Sequence, residues 1–464
     1  MILNGVLKTD YLVVGAGASG MAFVDSLITS SDADVVMVDR RHGPGGHWND
    51  TYPFIRLHQP SKYYGVNSIP LGANAIDANG VNAGMYERAS GNELCAYYER
   101  VMKDRLLASG QVRFFPHCNY VGGGGFVSLL TGDRYEVAAR RAVVDATYLE
   151  PTVPATTKPP FAVSDGVRCV PVNELARMVE PPDGYVIVGA GKTGADAILY
   201  LLENGVPPAL IRWIKPREAW YLNREFTQGG ELLATLFDGL ALQLEACAQA
   251  ESETDLFDRL SRADQMLRVD ERITPTMFRG PTVSTAEIEM LRQIDGVIRL
   301  GRVHRIEADA IRFDEGSIPT TTGTLHVHAA AGGLNSAPEI PIFAPGQIRL
   351  QSMRIGLASF NSSLIAYVEA TRSNIASKNR LCPPNRQPDT PADWIRGTLI
   401  ALLADRMWAQ EGDIASWMGQ ARVNIACGLR EQLSRPELVA NLTRYLSGVD
   451  PAIANLRRLV GGKS

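Results

Sequence analysis

Three glycines near the start of the chain have the spacing of a phosphate-binding turn. Gly15, Gly17 and Gly20 follow an apolar run, with Ala18 and Ser19 between the last two glycines, and precede an apolar helical pattern that opens at Met21. The first glycine permits a tight turn, the second lets the backbone approach a pyrophosphate, and the third lets the helix pack on the strand. The helix N-terminus then offers N–H groups to the phosphates. The spacing therefore predicts a dinucleotide site.

The same pattern occurs a second time further along the chain. Gly189, Gly191 and Gly194 follow another apolar run, and Lys192 and Thr193 lie between the last two glycines. One such motif is only moderately specific. Two of them, each placed between a predicted strand and a predicted helix, indicate two dinucleotide sites in one chain.

The residues that follow the next strand differ between the two repeats. Asp39 comes nineteen residues after Gly20, where a carboxylate holds a free ribose hydroxyl, as in FAD or NAD. Lys215 and Arg217 come about twenty residues after Gly194, where basic groups suit a 2′-phosphate. We therefore expect NADPH at the second turn. A solvated basic strand end is the alternative interpretation, and it stays open.

The elements that must position these motifs alternate between strand and helix, which predicts an α/β fold with two Rossmann-like domains. The apolar strand 142–147 is followed by four prolines, typical of a linker out of the first domain. Residues 225–295 have helical apolar spacing and predict a mostly helical insertion. The tail from residue 391 is also predicted to be helical, and a further helix is predicted to be capped by Asn361 or Ser362.

Composition narrows the class of protein. The chain has 464 residues, 45% of them hydrophobic and 21% charged, with a formal net charge of −4. This balance argues against a nucleic-acid surface, and the absence of a run of eighteen apolar residues argues against a membrane partner. The six cysteines are scattered without CxxC or metal-ligand spacing, so we expect reduced thiols, no metal and a cytoplasmic location.

Five segments together resemble the flavin-containing and Baeyer–Villiger-type monooxygenases, which are flavoproteins with two dinucleotide-binding domains. Besides the two glycine turns, the segments are residues 45–48 (Gly-Gly-His-Trp), 143–147 (Val-Val-Asp-Ala-Thr) and 217–220 (Arg-Glu-Ala-Trp). The resemblance spans roughly residues 8–335. It implies that residues 1–155 and 325–464 form a discontinuous FAD domain and that residues 160–320 form an inserted NADP domain.

The resemblance also implies a reaction. In that family NADPH reduces the flavin, and dioxygen then forms a C4a-(hydro)peroxyflavin that oxygenates a small organic substrate. Two other functions stay open for this chain: an NADPH-dependent flavoprotein reductase or dehydrogenase without a stable peroxyflavin, and a non-enzymatic flavin-binding module. A homodimer is also left open.

Further site residues follow from the resemblance, because the loop 56–61 of such enzymes passes near the flavin. His58, Gln59, Ser61 and Asn67 are the candidate catalytic residues, able to hydrogen-bond the flavin or the substrate; merely tying down the loop is the alternative. The helix near residue 361 is a candidate to face the flavin ring. Cofactor-binding roles are expected for the residues of both glycine turns, for the basic and acidic residues that follow them, and for Gln59, Arg40, Gly46, His47, Trp48, Thr147, Gln351 and Ser362.

Some positions depart from the family pattern. Val167, Cys169, Asn173 and Arg177 stand where an aromatic residue, glycine, histidine and a second aromatic residue are expected before the second turn, and Tyr148 stands in place of a glycine. The cofactor assignment therefore rests on more matching residues than monooxygenation does.

Overall fold

The structure, a computed structural model, describes residues 6–333 and 335–461. Apolar runs rich in β-branched residues form the central strands, as their composition predicts. In chain order the strands are β1 (Leu7–Val14), β2 (Val35–Val38), β3 (Val112–Phe115), β4 (Cys118–Gly122), β5 (Gly125–Ser128), β6 (Arg134–Asp145), β7 (Ala162–Val163), β8 (Cys169–Pro171), β9 (Gly184–Val188), β10 (Ile211–Ile214), β11 (Tyr221–Asn223), β12 (Met266–Leu267), β13 (Thr282–Val283), β14 (Gly296–Ile298), β15 (Val303–Ile306), β16 (Ala310–Phe313), β17 (Gly316–Pro319), β18 (Thr324–His328), β19 (Phe343–Ala344) and β20 (Gln347–Arg349).

The α-helices cover the sheets and build the insertion and the tail. In chain order they are α1 (Ala18–Ser30), α2 (Gly91–Val101), α3 (Lys192–Glu203), α4 (Leu233–Gln249), α5 (Glu253–Arg262), α6 (Thr285–Leu291), α7 (Ala358–Thr371), α8 (Ile375–Leu381), α9 (Pro391–Gln410), α10 (Gly412–Gln420) and α11 (Pro436–Gly461). Among the described residues, no helix is both long enough and apolar enough to cross a membrane.

Two largely parallel sheets carry the two glycine turns. The first sheet has the order β19-β20-β6-β1-β2-β3, with β4 and β5 attached through β6. The second has the order β14-β10-β9-β18-β8, and its strands are all parallel. Each glycine turn follows a central strand, β1 or β9, and leads into a helix. The predicted α/β fold with two Rossmann-like units is therefore confirmed.

The expected boundary between the two units at residue 325 is wrong. Strand β18 pairs with β9 in parallel along its whole length, Thr324 opposite Gly184 and His328 opposite Val188. It therefore belongs to the second sheet. The chain rejoins the first sheet later, where β20 pairs with β6.

The returning segment covers the first unit. Helix α7 packs on α1, and the Ser363 hydroxyl donates a 3.4 Å hydrogen bond to the Ala22 carbonyl. The predicted N-cap at Asn361 or Ser362 is wrong, because α7 already begins at Ala358 and its N-cap, Leu357, makes no side-chain cap. Asn361 and Ser362 instead lie buried in the first turns of the helix.

Insertion and tail fold together. Helix α11 lies along α4, where the Arg444 guanidinium pairs with Asp238 at 2.7 Å and with Glu245 at 3.0 Å. One apolar cluster combines residues of the insertion with residues of α9 and α11. The helical character predicted for residues 225–295 holds for α4, α5 and α6. The segment also contributes two short strands, β12 and β13, which flank β11 in a small three-stranded sheet.

Candidate functional site at the junction of the two units

The first glycine turn is tightly enclosed. A Cβ on Gly20 would lie 2.0 Å from the carbonyl oxygen of Gly15, so only glycine fits at the start of α1. Gly46 crosses the turn so closely that its Cβ would lie 2.9 Å from the Cα of Gly17, and Thr147 closes the other side, 3.0 Å from a Cβ on Gly15. The structure thus brings Gly46 and Thr147 to the first turn.

Helix α1 has no side-chain cap at its N-terminus. The first-turn N–H groups of Ala18 and Ser19 are therefore free for a phosphate. Asp39 ends β2 beside this turn, and its carboxylate accepts hydrogen bonds from the backbone N–H groups of Ala16 at 2.7 Å and Arg41 at 2.8 Å. Arg40 is exposed and pairs with Glu150 at 2.6 Å.

The second turn is more open. A Cβ on Gly194 would lie 2.3 Å from the Gly189 carbonyl oxygen, but a Cβ on Gly191 would meet nothing within 4 Å. Helix α3 also lacks a side-chain cap. Its residue Lys192 is buried and pairs with Asp196 one turn later. An open glycine followed by an uncapped helix has the form of a pyrophosphate cradle.

The two basic residues predicted for a 2′-phosphate are engaged within the protein. Lys215 is 1% exposed, its ammonium pairs with Glu218, and it lies 4.3 Å from the Trp213 ring centroid. The expectation that Lys215 offers a free cation to a nucleotide is therefore wrong. Arg217 is part-exposed and forms a fork with Asp389 at 2.9 and 3.0 Å.

A loop of the first unit, residues 52–67, forms hydrogen bonds and ring contacts with the helix that follows the second turn. The Tyr52 hydroxyl donates a 2.6 Å hydrogen bond to Asp196, the carboxylate that also holds Lys192. The ring of Phe54 stacks on Tyr200 of α3, with 3.9 Å between centroids. The two glycine turns are thus fixed relative to each other through this loop.

Behind the loop lies a buried ionic cluster of Arg88, Arg224 and Glu287. The carboxylate of Glu287 accepts from Arg224 at 2.6 Å and from Arg88 at 3.2 Å, and Arg224 also donates to the His58 carbonyl at 3.0 Å. Although burial alone raises the pKa of Glu287, the charges of Lys192, Arg224 and Arg88 lower it to about 2. Glu287 therefore stays ionised at neutral pH, and its partner Arg224 holds the loop in place through the His58 carbonyl.

His58 lies beside this cluster. Burial, reinforced by the positive charge of Lys192, lowers the pKa of His58 to about 3, so its imidazole is neutral at pH 7. Burial and Arg41 lower the pKa of His47 to about 4, and its ring lies 4.8 Å from that of Trp48. Both histidines are therefore neutral at pH 7. The low pKa of His58 also makes it a poor proton acceptor.

The depressed pKa of His58 predicts a pH effect on stability. Below the ordinary pKa of histidine, near 6.5, the unfolded chain binds a proton that folded His58 refuses, so the free energy of unfolding falls as the pH decreases. We expect His58→Gln to flatten this fall between about pH 6.5 and 5, where Glu287 is still ionised. Urea titrations at several pH values measure it; parallel curves for the two proteins would contradict the assignment.

Two of the four candidate catalytic residues keep unused hydrogen-bonding atoms. The amide nitrogen of Gln59 and the amide oxygen of Asn67 are buried and have no partner among the described residues. Ser61 differs, because its hydroxyl accepts a 2.8 Å hydrogen bond from the Ala89 N–H and fixes the loop. Since unpartnered buried polar atoms cost stability, Gln59 and Asn67 are the residues best suited to meet a ligand.

The remaining predicted residues surround the same loop. Trp48 donates from its ring nitrogen to the Tyr64 hydroxyl at 3.0 Å, and the Ser359 hydroxyl, in the first turn of α7, accepts from Gly65 N–H at 3.1 Å. The uncapped N-terminus of α7, near Ser362, thus lies against the loop. Gln351 does not face this loop with a free amide. Its side-chain nitrogen donates to the Ile340 carbonyl, and its side-chain oxygen accepts from the Ile340 N–H.

Sequence reasoning missed the cluster behind the loop. Arg88, Arg224 and Glu287 are separated by 63 to 199 positions, and none belongs to a recognisable motif. The one signal was the pattern Ser284-x-x-Glu287, which predicts a capping box and does form one. Nothing in it predicts that the same carboxylate also binds two arginines.

Comparison with known proteins places the chain among relatives. An uncharacterised protein of Mycobacterium tuberculosis is 44% identical over 456 residues, which cover 97% of this chain and 84% of the relative. A Mycobacterium bovis protein, also uncharacterised, matches to the same extent. The chain belongs to the same family as these uncharacterised proteins. Residues 13–82 of this family member also match the family described as NAD(P)-binding Rossmann-like domain.

Solved structures resemble this family member in fold. A flavin-containing monooxygenase from Stenotrophomonas maltophilia is 14% identical, with a TM-score of 0.46 over 81% of this chain and 100% of that one. A cyclohexanone monooxygenase from Rhodococcus, bound to NADP+, is 14% identical, with a TM-score of 0.47 over 79% and 85%. A bacillithiol disulfide reductase from Staphylococcus aureus is 11% identical, with a TM-score of 0.47 over 80% and 100%.

Proposed function

We propose that this chain is an FAD-dependent, NADPH-using monooxygenase that oxygenates a small organic substrate with dioxygen. The observation that carries the proposal is the pair of uncapped, glycine-started helices on two separate parallel sheets, joined by one loop. Such a pair suits two dinucleotides whose reactive rings meet at the junction. The first turn holds FAD and the second holds NADPH.

The residues at both turns fit these cofactors. The closely crossing glycines at the first turn leave backbone near a bound pyrophosphate, and Gly191 leaves space that a side chain would fill. The unpartnered atoms of Gln59 and Asn67 lie on the loop that joins the units, where polar ring edges need partners. These observations support two dinucleotide sites that meet at this loop, whereas the reaction with dioxygen rests on the resemblance.

A bound flavin would accept hydride from NADPH and would then react with dioxygen. The protein's own part is positioning and exclusion of water. The uncapped N-terminus of α7 stabilises negative charge beside the loop, and Gln59 and Asn67 hydrogen-bond ring edges or substrate. His58, neutral at pH 7, acts as a hydrogen-bonding group and not as a cation.

The test is the absorption spectrum of the purified protein, followed by NADPH reduction and rapid mixing with oxygenated buffer. We expect bound flavin, its reduction by NADPH, and a transient absorbance distinct from both reduced and oxidised flavin. Direct return to oxidised flavin with equimolar hydrogen peroxide would support the reductase alternative instead. Protein without flavin would remove both enzymatic functions, whereas bound flavin that NADPH cannot reduce would favour a flavin-binding module.

The cysteines bear on the reductase alternative. The six thiols are free, and burial raises the pKa of each one. A protonated thiol is a poor nucleophile. The thiols therefore do not support a cysteine-based relay to an external acceptor, and a reductase of this chain would pass electrons directly from the flavin.

A matched pair of variants tests NADPH against NADH. We expect Arg217→Ala to raise the KM for NADPH about tenfold and leave that for NADH nearly unchanged, because part-exposed Arg217 can turn from Asp389 to a 2′-phosphate. Lys215→Ala is the control: it removes one buried partner of Glu218, which then keeps only Arg299, so we expect a lower melting temperature and equal effects on both nucleotides. Equal changes of KM in Arg217→Ala would refute the 2′-phosphate role.

A further inference from the structure

A second feature, lined by residues of both units, lies outside the glycine turns. It is a half-open cavity of about 870 Å³, bordered by the loop that contains Ser61, by one side of α2 and by the end of α3. This volume is within the usual range for small-molecule sites. Ser61 and Arg88 line it, so it adjoins the loop that carries His58 and Gln59.

Seven charged side chains of both signs line this cavity. They are Arg56, Asp77, Glu87, Arg88, Glu93, Arg100 and Glu203. Within the described part of the chain, none of the seven forms an ion pair with another. Arg88 pairs only with Glu287, behind the cavity wall.

Each of the three arginines has guanidinium N–H groups that donate no hydrogen bond to any described residue. Arg56 donates only to the Arg88 carbonyl, at 3.0 Å, and Arg100 only to the Pro70 carbonyl, at 3.3 Å, among the hydrogen bonds of the described residues. Arg88 is 8% exposed, and its Nε–H has no partner. A guanidinium whose N–H groups lack partners favours an anionic acceptor, and a carboxylate can accept two parallel hydrogen bonds from it.

The acids divide into those already used and one that is not. Glu87 accepts from Ala73 N–H, Glu93 from the backbone and hydroxyl of Ser90, and Asp77 from Asn82. Glu203, at the end of α3, lines the cavity and is exposed, and among the described residues its carboxylate has no hydrogen-bond or ion-pair partner. Burial and Glu287 raise its pKa, and the charges of Arg88 and Arg56 offset only part of that rise. The carboxylate is thus left without a bonded cation. A ligand ammonium would supply that cation.

We infer that this cavity binds a small zwitterion of the amino-acid type, with its carboxylate on Arg56 and Arg100 and its ammonium on Glu203. The apolar lining of Leu71, Val81 and Ala96 receives the body of the ligand. That this ligand is the molecule oxidised rests on the proposed function. Binding itself does not.

Three probes of equal apolar shape test the inference: L-leucine, 4-methylpentanoate without the ammonium, and 3-methylbutylamine without the carboxylate. Calorimetric titration of the purified holoprotein should give at least about tenfold tighter binding of leucine than of either singly charged probe. Equal binding of one of those probes, or no binding of leucine at 10 mM (about the top of the usable range), would overturn the inference.

Variants at exposed positions locate the site. Arg56→Gln with Arg100→Gln should weaken leucine binding about tenfold or more, Glu203→Gln should remove its advantage over 4-methylpentanoate, and the exposed control Arg302→Gln should change nothing. Unchanged leucine binding in the cavity variants would also overturn the site. Flavin content and NADPH reduction, measured on the same samples, separate a failure here from a failure of the proposed function.

Discussion

Gly17→Val should be purified with less than about a tenth of the flavin that the unaltered protein carries. Gly17 has φ −81° and ψ −172°, which valine adopts without strain, so the fold itself is expected to survive. A Cβ at this position lies 3.4 Å from the Cα of Gly46, and the two methyl groups of valine extend into the space where the pyrophosphate meets the turn. The ratio of flavin absorbance to protein absorbance, with the flavin released by denaturation, measures the loss.

The control for that substitution is a glycine in open surroundings. A Cβ on Gly419 in α10 meets nothing within 4 Å, so Gly419→Val should keep its full flavin content. Circular dichroism of Gly17→Val shows whether the fold has survived. Folded Gly17→Val with stoichiometric flavin would refute the role of the first turn.

Gly191→Val should keep its flavin and lose affinity for NADPH. The backbone at Gly191 has φ −84° and ψ −176°, and nothing lies within 4 Å of a Cβ there, so valine fits the protein but fills the nucleotide cradle. We expect full flavin content and a KM for NADPH raised at least about a hundredfold, which corresponds to roughly 2.7 kcal/mol of lost binding. Anaerobic reduction of the flavin over a range of NADPH concentrations measures this change.

The two valine variants also test which turn holds which cofactor. Since Gly17→Val is expected to lose flavin and Gly191→Val to lose nucleotide binding, each serves as the control of the other. Loss of flavin in Gly191→Val with retention in Gly17→Val would reverse the assignment of the two sites.

The glycine turns were predictable because their constraint is local. Gly20 and Gly194 must each fit against a carbonyl five residues earlier, and that requirement shows in the spacing alone. Strand β18 could not be assigned in the same way. Its pattern reads as a buried strand, but both parallel sheets accept such a strand, and only the pairing with β9 decides between them.

The roles of charged residues were the least predictable part of the site. Lys215 stands where a basic residue suits a 2′-phosphate, yet Glu218, three positions later, neutralises it inside the protein. Arg217 forms an ion pair with Asp389, which lies 172 residues later in the chain. Sequence shows which charges are present, whereas their partners depend on contacts between distant segments that no short pattern encodes.

The late return of the chain to the first sheet sets the order of events during synthesis. When a ribosome has released the first glycine turn, β20 and α7 have not yet been made, and the face of α1 that α7 covers is still exposed. The parallel sheet of the second unit, complete at β18, can form earlier than the first sheet, whereas the insertion of that unit still lacks α9 and α11, on which it packs. Capture of a cofactor at the first turn therefore has to wait until about residue 371 has emerged, and a fragment that ends before β20 should not hold one.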